Sequence, residues 1–223
     1  MYGGYYPNPV GVPSQLSDGK QSIKVQGQGE VSLKPDIAQI NLGIISENKD
    51  LISAQQENAR KSQMVIQSLL ALGIPNNKIR TYDYRIDADY DFKDGQQIFR
   101  GYKVTHLLEI RLNELEKAGV TVDTAVKNGA NYVSRIEFKS SQKQKYYRQA
   151  LAAAVTDAIE KAEVIAGVLR VQLNRIPYLV SEITGSPSPV FEEQTSFVKG
   201  VSTTTFEPGE ISIKATVHAE FYY

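Results

Sequence analysis

The 223-residue chain has no cysteine and no tryptophan, two methionines and two histidines. Without cysteine there is no disulfide framework, no thiol nucleophile and no zinc–thiolate site, and the composition suits any redox compartment. Met1 and Met64 are the only sulfur-bearing side chains, so direct redox chemistry by the polypeptide is not expected. Neither sign of charge is in excess, since 25 basic residues meet 25 acidic ones. No general field draws in nucleic acid or an anionic membrane surface, and neither is expected as a partner. No apolar run approaches the length a bilayer requires, so no membrane span is expected. The first residues show neither a basic segment nor an apolar core of the kind a secretory signal uses, which makes the cytoplasm the expected compartment.

What the sequence does contain is architecture. A helical run at about 141–170 organises the rest. Ala150, Ala154, Ala158, Ala162 and Ala166 recur every fourth residue and form one slowly drifting row. The row lets the backbone of another layer come close. Leu151, Val155, Ile159, Val164, Ile165 and Leu169 flank it and are expected to fill the space on either side. Ser141 and Gln144 fit a capping box. A second helix is expected from about 50 to 72, capped by Asp50, with an apolar face of Ile52, Ala59, Ile66, Leu69 and Leu70. Gly73 and Pro75 end it. A shorter or broken helix follows at about 113–129, with Asn113 and Glu116 at its start, Gly119 weakening it and Gly129 stopping it.

Strands fill the remainder. Residues 22–31 and 37–46 read as two strands joined at Lys34-Pro35-Asp36. Gly27 and Gly29 face one side of the first and leave room for a neighbouring backbone or a bulge. Residues 79–112 read as two long strands around an Asp94-Gly95 turn. Tyr82, Tyr84, Ile86, Ala88, Tyr90 and Phe92 share one parity. Asp83, Arg85, Asp87, Asp89 and Asp91 share the other, as in a sheet wetted on one side. Further strands are expected at 132–139, 175–183 and 210–222. In the last, Ile211, Ile213, Ala215, Val217, Ala219 and Phe221 alternate with polar residues. The series strand, helix, hairpin thus occurs twice, over 37–112 and 132–222. The expected fold class is α+β, with two βαββ-type units, long β-hairpins and long helices packed on antiparallel sheets. The expected division is a flexible Tyr/Gly/Pro-rich tail at 1–20, then one domain at 21–223 with halves of about 21–112 and 113–223. The 184–209 loop is long for a compact domain. Its Phe191, Phe197 and Phe206 are expected either to pack over their own subunit or to contact another copy.

Each motif that suggests chemistry has a simpler explanation. After Gly27 and Gly29, a dinucleotide fingerprint needs a third small residue where Ser32 stands and a helix that does not follow. Asp87, Asp89 and Asp91 have calcium-loop spacing, but Phe92 and Ile98 replace the required glycine and glutamate. Carboxylates two apart on a strand lie roughly 6.5 Å apart, so a solvated strand face is expected instead. His106 shares parity with Tyr102, Val104, Leu108 and Ile110, and is expected to be a hydrogen-bonded residue on an apolar face. His218 shares parity with Lys214, Thr216 and Glu220, and is expected to face water. No catalytic, cofactor-binding or metal-ligating residue is expected, no cofactor is implied, and the chain reads as a non-enzyme.

Gly27-x-Gly29-x-Val31 is followed by Pro35-Asp36 and an alternating strand. Gly101-Tyr102, Gly129-Ala130-Asn131 and the alanine row ending near Gly167 come later. In this order, over residues 22–223, the chain resembles the SIMPL family, which includes the YggE-like bacterial proteins. The resemblance implies an α+β fold with long hairpins and ring-forming oligomers. For bacterial members it implies a link to protection from oxidative stress, and a mammalian member is tied to kinase signalling. No catalytic residues are established for the family, so none is carried over. Many bacterial relatives are exported, so the resemblance implies the periplasm or cell envelope as the alternative compartment. The expected function is that of a non-enzymatic protein forming a homo-oligomer, ring-shaped by resemblance, with a stress-related role. The alternative is an adaptor that binds a protein partner through the 184–209 loop or the 1–20 tail.

Overall fold

The computed structural model describes residues 21–93, 95–183 and 204–223. The 1–20 tail, Asp94 of the turn signal, and loop residues 184–203 with Phe191 and Phe197 lie outside the described residues. The elements follow in the order β1 (Ser22–Leu33), β2 (Ile37–Asn48), α1 (Leu51–Ala71), β3 (Ile79–Lys93), β4 (Gln96–Leu112), α2 (Lys117–Lys127), β5 (Tyr132–Lys139), α3 (Lys143–Leu169), β6 (Leu179–Glu182) and β7 (Ile211–Tyr222). The fold is mixed α+β. One sheet has the order β3-β4-β2-β5 and the other the order β1-β7-β6. The strand–helix–hairpin series does occur twice, as β2–α1–β3–β4 and β5–α3–β6–β7. Its strands are sorted unequally: β5 joins the first series on the free edge of β2, while β7 pairs with β6 on one side and β1 on the other.

Among the described residues, 30–150 and 204–214 form the larger of two compact units. Its core is the alternating row Ala38, Ile40, Leu42 and Ile44 of β2, with Leu108, Ile110 and Leu112 of β4 beside it. Val65 and Leu69 of α1 cover this face, and Ala118, Val122 and Ala125 of α2 extend it. Asp50 caps α1 as its sequence suggests, accepting the Ser53 N–H at 2.8 Å. The helix turns inward a face that overlaps the expected one only in part: Leu69 is in the core and Ile66 packs against it. Ala54, Asn58, Ser62, Val65 and Leu69 are buried, whereas Ile52 and Leu70 are exposed. The reason is polar: Asn58 Nδ2 donates to the carbonyls of Ile44 and Val104, both at 3.0 Å. A buried amide satisfied in this way ties helix to sheet where an apolar side chain would leave those second lone pairs unused.

The α2 helix begins at Lys117, later than Asn113 suggests, and its Glu116 makes no side-chain cap. Gly119 has a use that helix propensity hides. A Cβ there would lie 1.7 Å from the Thr204 carbonyl oxygen, so only glycine admits the passing chain. Thr204 donates its N–H and its hydroxyl to the Asp123 carboxylate, at 3.0 and 2.6 Å. Phe206, two residues on, packs against the core. For this one phenylalanine, local packing is the outcome. Ser141 also departs from expectation: it gives its hydroxyl and N–H to Asp36 rather than closing a box with Gln144.

The smaller unit contains residues 21–29, 151–183 and 215–223. Its β7 alternation is as read, with Ala215, Val217, Ala219 and Phe221 buried. The alanine row of α3 is buried along its length. Opposite it, a Cβ at Gly27 would lie 2.0 Å from the Ala154 carbonyl oxygen, so strand and helix meet backbone to backbone. Asp157 fixes the contact by accepting Lys161 Nζ and the Gln28 N–H, each at 2.7 Å. Lys161 first, and that N–H second, hold its carboxyl below the usual aspartate range. The flanking aliphatics divide: Leu151, Val155 and Ile159 are half-buried, whereas Val164, Ile165 and Leu169 are exposed. Helix and strand are too close for large side chains to lie between them. β6 is short, yet the Asn174 and Tyr178 N–H groups already reach the carbonyls of Tyr222 and Glu220. His218, opposite Ser181 in the ladder, is half-buried rather than fully wetted.

Candidate interaction surface

The β3–β4 hairpin is the feature of the larger unit that packing within the chain does not explain. β4 pairs with β2 only as far as Tyr102, opposite Asn48. Beyond that, β3 and β4 continue as a two-stranded ribbon to Lys93 and Gln96. A ribbon with no third strand has little to hold it except cross-strand pairs. Here those pairs are aromatic. Tyr90 stands opposite Phe99, with ring centroids 5.6 Å apart at 67°, and Phe99 meets Tyr102 at 5.2 Å and 71°. Phe92 is 77% exposed, and Tyr90, Ile98 and Phe99 are each more than 40% exposed. Burying one such side chain in an interface is worth about 1.5–3 kcal/mol.

Two bulges shape the hairpin. Thr81 opposes Leu108 and Asp83 opposes Leu107, so Tyr82 is an extra residue on β3. Asp89 opposes Gly101 and Tyr90 opposes Phe99, so Arg100 is an extra residue on β4. The first bulge carries no sequence mark, because the aromatic alternation runs straight through it. The second is marked by Gly101, whose φ of +155° and close approach to the Asn48 carbonyl exclude a side chain. The same kind of bulge at Ser134 explains why Val133 and Ile136 fall on different parities in β5.

The opposite face of the ribbon is charged. Arg85 lies 3.6 Å from Asp83 and 3.3 Å from Asp87; Arg100 lies 3.6 Å from both Asp89 and Asp91. The aspartates with calcium-like spacing are thus engaged by arginine. Among the described residues no group of three or more potential ligands is placed to hold a metal ion. β3 is an edge strand, and charges along it discourage edge-to-edge addition of another strand. What the ribbon offers a partner is its apolar face.

His106 sits at the root of the hairpin and has the hydrogen bonds its parity suggests. One ring nitrogen lies 2.9 Å from Ser62 Oγ and the other 3.0 Å from Thr81 Oγ1, with Tyr84 edge-on at 5.4 Å. A serine beside a histidine invites a catalytic reading. However, the second nitrogen meets a hydroxyl where a nucleophile's base needs a carboxylate, and Ser62 is buried beside Asn58. Burial pushes the imidazole pKa below the ordinary histidine value, so the ring is a neutral strut joining α1, β3 and β4. Arg80 grips buried Glu109 through both carboxylate oxygens, at 2.8 and 2.9 Å, and fixes the same root from the charged side. The smaller unit has apolar exposure of its own: Val164, Val168, Leu169, Ile176, Leu179 and Val180 all face solvent.

Comparison with known proteins agrees with this fold. The chain is 27% identical over 212 residues to the "Uncharacterized protein YggE" of Escherichia coli strain K12, covering 93% of this chain and 85% of the relative. It is 26% identical over 182 residues to the "26 kDa periplasmic immunogenic protein" of Brucella melitensis, covering 79% and 72%. A YggE of Edwardsiella ictaluri is 24% identical over 169 residues, covering 74% and 71%. Residues 23–221 match the model for SIMPL, described as "Protein of unknown function (DUF541)". With the match spanning nearly every described element, the chain belongs to the SIMPL family.

Proposed function

We propose that this protein is a non-enzymatic assembly subunit, in which the apolar face of the β3–β4 ribbon is buried against another copy of the chain. The observation that supports this most is the exposed cluster of Tyr90, Phe92 and Phe99 on one face of a ribbon that passes the end of β2. Three aromatic side chains on one face exceed what a monomer's surface needs, and identical copies are the partners always at hand. A closed assembly, ring-shaped by family resemblance, follows if each subunit's ribbon meets a different surface on its neighbour. Any stress-related role is read as indirect, because no cysteine and only two methionines give the chain little capacity for redox cycling. The periplasmic naming of the Brucella relative supports a periplasmic location, for which cell fractionation is the test. Size-exclusion chromatography with light scattering across a concentration series tests the assembly. The expected mass is a fixed multiple of 24.8 kDa. A chain that stays monomeric at micromolar concentration would reject the proposal and leave the ribbon to a different protein.

A further inference from the structure

The larger unit contains a cleft of about 460 Å³ on the side of the four-stranded sheet where β5 ends and β7 begins. That volume falls within the range of small-molecule sites. Its lining divides by chemistry. Ile37, Phe138, Ile211 and Ile213 supply an apolar surface; the three isoleucines are buried and Phe138 is packed on the core. Arg111, Arg135, Lys139 and Lys143 supply four cations, against the single carboxylate of Glu137. A chain with zero formal net charge therefore concentrates three net positive charges around one cleft.

The cations are not equally occupied. Glu137 accepts Arg135 Nη1 at 2.9 Å and Lys139 Nζ at 2.7 Å, and Lys139 also donates to Gln39 Oε1 at 2.8 Å. Lys139 first, and then Arg135, hold the Glu137 carboxyl below the usual glutamate range, so it remains ionised and bound to them. Arg111 and Lys143 have no ion-pair partner among the described residues. The strand register separates the two groups: Arg111 and Glu137 lie on either side of Gln39, across β4, β2 and β5. Glu137 is thus occupied two strands from Arg111, and Arg111 and Lys143 are left to whatever enters.

We propose that this cleft binds an amphipathic anion, a molecule with an apolar body and one anionic head, such as a medium-chain carboxylate. The body lies on Phe138 and the isoleucines, and Arg111 and Lys143 take the head. A small hydrophilic anion would use the cations and leave the apolar lining wet; a neutral apolar molecule would leave both cations unused. The requirement for both features distinguishes this site from a general basic patch. The inference is independent of how the chain assembles, since every lining residue belongs to one unit of one chain.

Equilibrium dialysis of the full chain with radiolabelled decanoate is the test, because it works at any assembly size. The expected result is saturable binding at one equivalent per chain, weakened by added salt. Octanol and inorganic phosphate should compete poorly, each needing at least about tenfold higher concentration than octanoate, since each satisfies only half the site. Arg111→Gln and Lys143→Gln should each weaken decanoate binding about five- to tenfold, the loss of one charge-assisted contact at a part-exposed site. Lys127→Gln, an exposed lysine of α2, is the control and should bind as the unmodified chain does. Both test residues are exposed at the surface, so circular dichroism should show an unchanged fold. Non-saturable uptake, equal competition by octanol, or variants that bind like the unmodified chain would each overturn the proposal.

Discussion

The root and the tip of the β3–β4 hairpin are built from the same alternation and end in opposite states. At the root, Val104, Leu108 and Ile110 are fully or almost fully buried under α1, and His106 and Asn58 connect helix to strand. At the tip, Tyr90, Phe92 and Phe99 continue that apolar face, and among the described residues neither helix nor third strand covers it. Along β3 nothing in the side-chain pattern changes where cover ends; on β4 only the Gly101 bulge marks the place. The lesson is that an apolar stripe records a need for burial and says nothing about which surface meets it. Here the chain covers its own stripe as far as α1 extends and presents the remainder.

Substitutions at the two ends should therefore fail in different ways. The largest effect on folding is expected at the root. Leu108→Ala removes a buried side chain beneath α1 and should cost about 2–5 kcal/mol in urea unfolding. A cost below about 1 kcal/mol would mean that the root is not the rigid end. Asn58→Ala comes next. It deprives the Ile44 and Val104 carbonyls of their side-chain donor and leaves a hole under the helix, for about 1–3 kcal/mol. The smallest effect is pH-dependent and also belongs to the root. The folded state keeps His106 neutral, with a pKa below that of the unfolded chain. Its contribution is complete above about pH 6.5 and is lost progressively as pH falls from there toward the folded value. Unfolding midpoints measured across that window should decline on acidification, and His106→Gln should flatten the decline. A slope that His106→Gln leaves unchanged would place its origin elsewhere, since carboxylates such as Asp36 and Asp157 contribute only at lower pH.

Much of the fold was legible because backbone periodicity and breakers act locally. The five alanines of α3, the alternation of β7, the Asp50 cap and the Gly73-x-Pro75 stop all lie where their chemistry puts them. Errors arose wherever a residue's role depends on a segment distant in sequence. The inward face of α1 is set by carbonyls on β2 and β4 that Asn58 must reach. Val164 and Leu169 are exposed toward the end of α3, beyond the Gly27 contact with Ala154 and Ala158, and no local mark shows where cover stops. Gly119 reads as a helix weakness until Thr204 passes over it. The aromatic face of the hairpin was visible as a stripe, but its division into covered and uncovered parts depends on where β2 ends in the register. The cleft beside β5 was not visible, because its cations come from three elements and share no motif.

The most direct measurement is light scattering of a triple variant, Tyr90→Ser, Phe92→Ser and Phe99→Ser, beside the unmodified chain at equal concentration. If the tip is the contact between copies, the unmodified chain elutes as a defined multimer. The variant should then elute near 24.8 kDa with its circular dichroism retained. A variant that keeps the multimer's mass would show that copies meet through some other surface, and the ribbon would lose its assigned role.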